Sequence, residues 1–499
     1  MAVATVLRYH IRTFGCQMNV RDSEIMAGEL EQMGYARAHG DGDADLVVVN
    51  TCAVRGSAED HAFGYIGGLK AMKQERPGLM VAFAGCMAQE PGTIAWLKRH
   101  APHVDLVFGT HNLQQLPELL ARAAGSRDMV VDVWEASPEV QPTLPSRRAD
   151  GASAFVNIIY GCDKFCTYCI VPFTRGRERS RPVGDIAAEV RALAAEGYQD
   201  VALLGQNVNS YGHDLEPALD LADLLAALEP IDGVRWLRYL TSHPKDFSQK
   251  LIDTIAASRK VTRHVHLPVQ SGSSAVLKRM NRKYTREQYL DLVRRVRQAI
   301  PDAVLTTDVI VGFPGETDEE FADTLSLMQA VEFDTAFTFI YSPRTGTPAA
   351  RWEGRDPVPD MVKKDRLNRL MALQYRISLE KNQAWVGRSD MVLVEGVSKK
   401  DPNVWAARSG TNKVILLPRE AGVDLHHRFL PVRITGARTF FLTAERAGDP
   451  VSAPVPDRAA RVPLPWGAMA AGGSSPLRLT GAAERGRAAD AMGLPDDAR

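Results

Sequence analysis

The stretch Phe155-Val156-Asn157-Ile158-Ile159-Tyr160-Gly161-Cys162-Asp163-Lys164-Phe165-Cys166-Thr167-Tyr168-Cys169 runs an apolar, β-prone segment straight into three cysteines spaced C-x-x-x-C-x-x-C. A short apolar run closed by glycine reads as a buried strand with a loop behind it. Further candidate strands lie at Val201–Leu204, Trp236–Leu240, His264–Leu267, Ala303–Val311 and Ala336–Ile340, and each but the last precedes a helical pattern. Six such units predict a parallel, incompletely closed (β/α)6 barrel over 148–380. Barrel active sites assemble on the loops that leave the carboxyl ends of the strands. The three cysteines stand on the first of those loops.

Three thiolates so close in sequence converge readily on one metal centre. In a four-iron cube they leave one iron without a protein ligand, and an open coordination site is what chemistry requires. A structural zinc site is the alternative. Zinc prefers C-x-x-C joined to a second such pair, and the chain has neither that pair nor the fourth cysteine of a ferredoxin.

Outward to the amino terminus, Leu46–Val49 and Leu79–Ala84 are short continuous apolar runs, and Asp22–Met33 places Met26, Leu30 and Met33 on one helical face. Residues 1–130 therefore read as a doubly wound parallel sheet of an α/β multidomain chain. Cys16, Cys52 and Cys86 each end an apolar strand segment, which sets all three at the carboxyl edge, where such sheets bind ligands. Gly15 and Gly85 beside them permit close approach of a bulky group. Three buried core thiols are the alternative. Ligation by this trio predicts a second open four-iron cluster by the same ligand count.

Outward to the carboxyl terminus, period-2 strands at Met391–Val397, Val404–Arg408, Lys413–Leu417, Pro431–Thr435 and Thr439–Leu442 predict a small antiparallel β-barrel over 381–445. The Pro-containing stretch around Pro138, Pro142 and Pro145 reads as a linker, and the Ala-, Gly- and Pro-rich 446–499 as a disordered tail. With 60 basic and 60 acidic residues the net charge is zero, so any polyanion site must be a local patch. Arg175, Arg177, Arg179 and Arg181 alternate; in an extended segment all four would project to one side and grip successive phosphates. A solvated charged loop is the plainer reading. Lys399, Lys400, Arg408 and Lys413 add basicity to the small barrel, where Trp405 is either a stacking residue or core. Met1–Cys16 has no leader pattern, and no apolar run reaches the roughly 18 residues of a membrane span, so the expected setting is cytoplasmic, away from membranes.

With Tyr168 in the aromatic place, the Cys162 motif resembles that of the radical-SAM superfamily. The resemblance implies that the open iron binds S-adenosylmethionine (SAM) and that reductive cleavage yields an adenosyl radical able to attack an unactivated C–H bond. Arg12-Thr13-Phe14-Gly15-Cys16-Gln17-Met18-Asn19, Asn50-Thr51-Cys52-Ala53-Val54-Arg55 and Gly85-Cys86-Met87-Ala88-Gln89 resemble the amino-terminal domain of the methylthiotransferases, and the small barrel resembles a TRAM module, which binds RNA. The likeness runs from about residue 6 to 445. Gln17-Met18-Asn19 points to the tRNA branch, the bacterial tRNA-2-methylthio-N(6)-dimethylallyladenosine synthases.

That family implies conversion of dimethylallyladenosine at position 37 of a tRNA anticodon stem-loop to its 2-methylthio form. It also implies two 4Fe-4S clusters, two SAM per turnover, a reducing electron donor and a monomeric enzyme. The six cysteines are then catalytic ligands, and Tyr168, Gln206, Asn207, Gln270, Ser271 and Gly312, at barrel-strand ends, the implied SAM contacts. The rival readings are the same chemistry on a threonylcarbamoyl-type adenosine or a ribosomal protein, or a non-catalytic RNA-binding protein with structural metal.

Overall fold

The computed structural model describes residues 6–54, 56–90, 92–135, 146–148 and 153–451. Pro138, Pro142 and Pro145 of the expected linker, and the tail beyond 451, lie outside the described residues. The chain divides into two compact units. The first holds the residues up to Arg148 together with Phe173–Gly176; the second holds the barrel strands and the small carboxyl-terminal barrel. Ser146–Arg148 at the end of the expected linker is tied into the first unit, Arg148 pairing with Glu24 at 3.1 Å.

The first unit runs β1 (Arg8–Phe14), α1 (Gln17–Gln32), β2 (Ala36–Arg37), β3 (Leu46–Thr51), α2 (Gly56–Glu75), β4 (Met80–Gly85), α3 (Thr93–His100), β5 (Leu106–Phe108), α4 (Leu116–Ala124) and β6 (Val130–Asp132). The strands pair in parallel in the order β2-β1-β3-β4-β5-β6. Strand β3 shows why the sheet is buried. Val47 and Val49 pack with Ile66, Leu69 and Leu97, whereas Leu46 and Val48 pack with Met26, Leu30 and Leu119. Alternate residues feed two cores, so helices cover both faces. The order reverses between β1 and β3, and a ligand crevice opens outside the carboxyl ends of strands at such a switch point.

The second unit continues with β7 (Ser153–Asn157), β8 (Ile159–Tyr160), α5 (Val171–Thr174, whose last two residues belong to the first unit), β9 (Arg179–Ser180), α6 (Val183–Ala195), β10 (Asp200–Leu204), α7 (Leu221–Leu228), β11 (Trp236–Tyr239), α8 (Gln249–Ala257), β12 (His264–His266), α9 (Ser274–Arg279), α10 (Arg286–Ala299), β13 (Val304–Val311), α11 (Asp318–Val331), β14 (Thr335–Ile340), α12 (Pro348–Glu353) and α13 (Asp360–Gln383). Two parallel ladders, β11-β10-β7 and β12-β13-β14, meet through one bridge between Leu237 and Val261. The result is a six-stranded partial barrel in chain order. The expected strand Phe155–Tyr160 is split in two. Arg181 N returns to bond the Ile158 carbonyl at 2.9 Å, and Ile159–Tyr160 pairs antiparallel with Arg179–Ser180 instead. Helix α11 begins at a capping box, with Thr317 Oγ1 accepting the Glu320 amide.

The small barrel comprises β15 (Ser389–Val397), β16 (Val404–Ser409), β17 (Val414–Pro418), β18 (Phe429–Ala437) and β19 (Leu442–Arg446). It closes in the order β15-β16-β17-β19-β18. Two details depart from expectation. The β17–β19 pair is parallel, and the last strand starts at Leu442 because Thr439–Phe441 is spent on a turn closed by Arg438 N on the Phe441 carbonyl.

A buried pair fastens the two barrels of this unit. Arg238 Nε bonds both carboxylate oxygens of Asp200 at 2.8 and 3.0 Å, while its Nη2 donates to the Ser409 carbonyl at 3.1 Å. Both side chains are almost fully buried. Arg238→Met strands the Asp200 charge and is expected to lower stability by about 3–5 kcal/mol, read as a shift of the urea unfolding midpoint. A loss below about 1 kcal/mol would match an exposed pair instead. Among the described residues no helix is long and apolar enough to cross a membrane.

Candidate functional site: two cysteine trios

In the first unit, Cys16 caps α1 directly after β1, Cys52 follows β3 and Cys86 follows β4. The sheet register therefore brings to one edge three residues that lie far apart in sequence. Asn19, fully buried, organises that edge. Its Oδ1 receives the Cys16 amide at 3.2 Å, its Nδ2 donates to the Thr51 carbonyl at 2.9 Å, and Cys86 Sγ lies 4.0 Å from the same Nδ2. Gly15 and Gly85 make the closeness possible. A Cβ on Gly15 would sit 2.9 Å from Cys52 Cβ, and one on Gly85, at φ +97°, would strike the Thr51 carbonyl.

The thiols influence one another. Cys16 is pulled down to about 6, chiefly by its hydrogen bond with Cys52 and, against burial, by Arg175. Cys52 is driven up by that same bond and by burial, and burial raises Cys86 against the pull of Arg175. Arg175 itself is buried, with Nε 3.2 Å from Cys86 Sγ and Nη2 2.7 Å from Asp22 Oδ2.

In the second unit, the Cys162–Cys169 loop leaves β8 and is pinned by its backbone. Cys169 N bonds the Cys166 carbonyl at 2.9 Å, Thr167 N the Met280 carbonyl at 3.2 Å, and Asn281 Nδ2 the Phe165 carbonyl at 2.9 Å. Cys162, Cys166 and Cys169 stand close enough for their charges to oppose one another, and burial pushes Cys162 and Cys169 up to about 12. Arg282, buried, reaches Cys166 Sγ at 3.5 Å and the Tyr168 hydroxyl at 3.4 Å. Its Nη2 is fixed on the Pro268 carbonyl at 2.6 Å. Tyr168 packs against Val276, Met280 and Phe313.

Both trios fit thiolate ligation of an iron–sulfur cluster. All six thiols are free, each trio keeps one buried cation at a sulfur, and a bound metal centre would remove the protons that burial favours on Cys52, Cys86, Cys162 and Cys169. Among the described residues no three His, Cys, Asp or Glu side chains converge on a single ion.

Residues 156–328 match the Radical SAM superfamily and residues 8–109 match the Uncharacterized protein family UPF0004. The tRNA-2-methylthio-N(6)-dimethylallyladenosine synthase of Symbiobacterium thermophilum is 52% identical over 89% of this chain and 95% of its own length. That of Pelotomaculum thermopropionicum is 49% identical over 87% and 97%. This chain belongs to the tRNA-2-methylthio-N(6)-dimethylallyladenosine synthase family. Its fold resembles that of the radical S-adenosylmethionine methyltransferase TsrM from Kitasatospora setae, solved with cobalamin and a 4Fe-4S cluster bound, at a TM-score of 0.51 and 16% identity over 69% of this chain and 74% of that one. As a radical-SAM protein, this member of the synthase family uses SAM and a 4Fe-4S cluster.

The remaining residues singled out in the sequence of this synthase-family chain are spread more widely. Asn207 is buried against Ser210 and Asp246, and Gln206 beside it is half-buried. Gln270 continues the β13 pairing through its backbone. Ser271 turns toward Thr324 of α11 at 3.3 Å, and the Gly312 amide bonds Glu316 at 2.7 Å. Those two are engaged in closing the loops they stand on.

The arginine ridge does not form. Thr174 ends a helical turn and Gly176 sits at φ +73°, so the alternation of an extended strand is lost. Arg175 is buried at Cys86, while Arg181 is buried on Glu189 and the Asn157 carbonyl, both at 2.7 Å. Arg179 is half-buried, and only Arg177 is exposed, paired with Asp163. In the small barrel Arg408 pairs with Glu395, and Lys413 is buried on Asp334 and Asn382. Trp405 is core at 1% exposure, leaving Lys399 and Lys400 exposed.

Several residues at the sites carry no local sequence signal. Asn157, at the end of β7, is buried with neither side-chain atom partnered, and so is His243 Nε2 after β11. Buried polar atoms of this kind are completed by water or by a bound group. Burial, with Arg282 and Lys164, holds His243 far below the usual imidazole range, and therefore neutral. On β14, Ala336 and Ile340 pack into the barrel core, while Phe337 and Phe339 stay exposed on the opposite face with His266 edge-on to Phe337. Their spacing in the sequence shows the alternation, but not which face is covered.

Proposed function

We propose that this chain methylthiolates carbon 2 of the dimethylallyl-bearing adenosine beside the tRNA anticodon with two 4Fe-4S clusters, one on Cys162, Cys166 and Cys169 and the other on Cys16, Cys52 and Cys86. The chain is a radical-SAM tRNA methylthiotransferase. The observation that supports two clusters is that cysteines gather twice at a carboxyl strand edge, stop at three each time, and so leave one iron open in each cube. When bound, the clusters and two SAM molecules supply the reductive sulfonium cleavage, the hydrogen abstraction, the site of sulfur insertion and the methyl group.

The chain's own residues hold and orient. Arg282 fixes the Cys166 side of its loop through Tyr284 and the Pro268 carbonyl. Tyr168, wedged among Val276, Met280 and Phe313, keeps water from that side of the site. Phe337 and Phe339 offer an apolar face for stacking the adenine and receiving its dimethylallyl group. Exposed Lys399 and Lys400 suit phosphate contacts that give affinity rather than base choice. In this reading residues 1–130 are the sulfur-inserting domain, 148–380 the radical-generating barrel and 381–445 the RNA-binding module. The enzyme works as a cytoplasmic monomer fed by a low-potential electron donor.

The test is the modified-nucleoside profile of tRNA from cells with and without the gene. The expected result is loss of the 2-methylthio nucleoside with retention of dimethylallyladenosine. Unchanged nucleosides would remove the tRNA reading, as would be expected of a non-catalytic RNA binder. Loss of a threonylcarbamoyl-type product instead would reassign the substrate.

A further inference from the structure

Each cysteine trio has one buried arginine at one sulfur, but the two arginines are compensated differently. Arg175, carried by the Phe173–Gly176 segment of the first unit, is 4% exposed, with Nε 3.2 Å from Cys86 Sγ. Its Nη2 is held at 2.7 Å by Asp22, whose side chain is 3% exposed. The donor at this sulfur is thus half of a neutral ion pair. Arg282, in the second unit, reaches Cys166 Sγ at 3.5 Å, and its other bonds go to the hydroxyls of Tyr168 and Tyr284 and to the Pro268 carbonyl. No carboxylate pairs with it among the described residues. A buried cation without a counter-charge favours negative charge beside it more strongly than a paired one does.

Hydrogen bonds to cysteine sulfur and nearby net charge are two of the levers that set the potential of an iron–sulfur cluster. Reduction adds a negative charge, so a donor and a cation at the sulfur raise the potential, and a carboxylate beside them lowers it.

We propose that Arg175 and Asp22 are positioning residues that set the reduction potential of the cluster on Cys16, Cys52 and Cys86, Arg175 raising it through Cys86 and Asp22 restraining it. The assignment rests on the two-cluster reading above. Its consequence concerns the single electron delivered by a low-potential one-electron donor. With a neutral pair at one trio and an uncompensated arginine at the other, the electron is biased toward the Cys166 side, where SAM is cleaved.

The test uses the full chain with Cys162, Cys166 and Cys169 all changed to Ala, reconstituted anaerobically so that only the first trio can hold iron. The reduced cluster is followed by electron paramagnetic resonance in a potentiometric titration. At the parent's midpoint, Arg175→Met is expected to lower the reduced-to-oxidised ratio about tenfold, a shift of about 59 mV for one electron. Asp22→Asn is expected to raise it about tenfold, and Arg175→Lys, which keeps the charge but loses the planar fork, to lower it by less. If Arg175→Met retains no iron, the opposed shifts of Arg175→Lys and Asp22→Asn still decide the matter. Ratios within twofold of the parent, or shifts of the same sign in the arginine and aspartate variants, overturn the role of Arg175 and Asp22. A parent that binds no iron overturns the two-cluster reading itself, and with it this assignment.

Discussion

Cys52→Ala is expected to abolish methylthiolation while reductive SAM cleavage continues at the parent rate. Cys52 follows β3 and is 1% exposed, with its thiol hydrogen-bonded to Cys16. Its removal leaves Cys16 and Cys86, and two thiolates do not hold an open cube. Even outer-shell partners of a metal site change activity by about 10–100-fold, so loss of a ligand should lower the 2-methylthio product by at least about 100-fold. None of the residues that hold the Cys162 loop is altered: Met280, Asn281 and Arg282 keep their bonds. Chromatography of an anaerobic reaction with a dimethylallyl-modified anticodon stem-loop measures both products at once. Full methylthiolation by this variant would show that sulfur does not pass through the first trio.

The reciprocal change, Cys166→Ala, is expected to remove both activities. Cys166 is 8% exposed, and the charges of its loop partners and of Arg282 bear on the same small volume. On the proposed ligation its loss removes the open iron that would bind SAM, and 5′-deoxyadenosine and methylthiolated product should each fall at least about 100-fold. The first trio keeps its ligands, so a single cluster's iron should remain in the protein. One ligand change thus costs one product and the other costs two, an asymmetry that general unfolding would not produce. Retained SAM cleavage in Cys166→Ala would mean that the radical-SAM motif has been misassigned.

The strand-end positions of the cysteines were legible because each depends on a local signal. An apolar run followed by Gly-Cys or Thr-Cys puts the thiol at the carboxyl edge wherever the sheet places that strand, and the parallel order β1-β3-β4 then brings Cys16, Cys52 and Cys86 together. Leu46–Thr51, buried on both faces, shows in the same way why continuous apolar runs mark parallel strands. The arginines were not legible. Alternation in Thr174–Pro182 is a local pattern, but the partners of Arg175 are Asp22 and Cys86, separated from it by 153 and 89 residues. Lys413 likewise finds Asp334 across 79 residues. A charge read as a contact for phosphate becomes an internal ion pair when a distant carboxylate shares its burial, and no sequence period reports that. Asn19 illustrates the same limit from the other side. It is visible within Gln17-Met18-Asn19, yet its bridging of Cys16, Thr51 and Cys86 appears only once the strands are assembled.

The most direct test of the account is the iron and acid-labile sulfide content of the anaerobically reconstituted full chain and of its two trio variants. Two independent open cubes predict about eight irons per chain in the parent, about four when Cys16, Cys52 and Cys86 are changed to Ala, and about four when Cys162, Cys166 and Cys169 are changed. About four irons in the parent, all lost with one trio and unaffected by loss of the other, would contradict it.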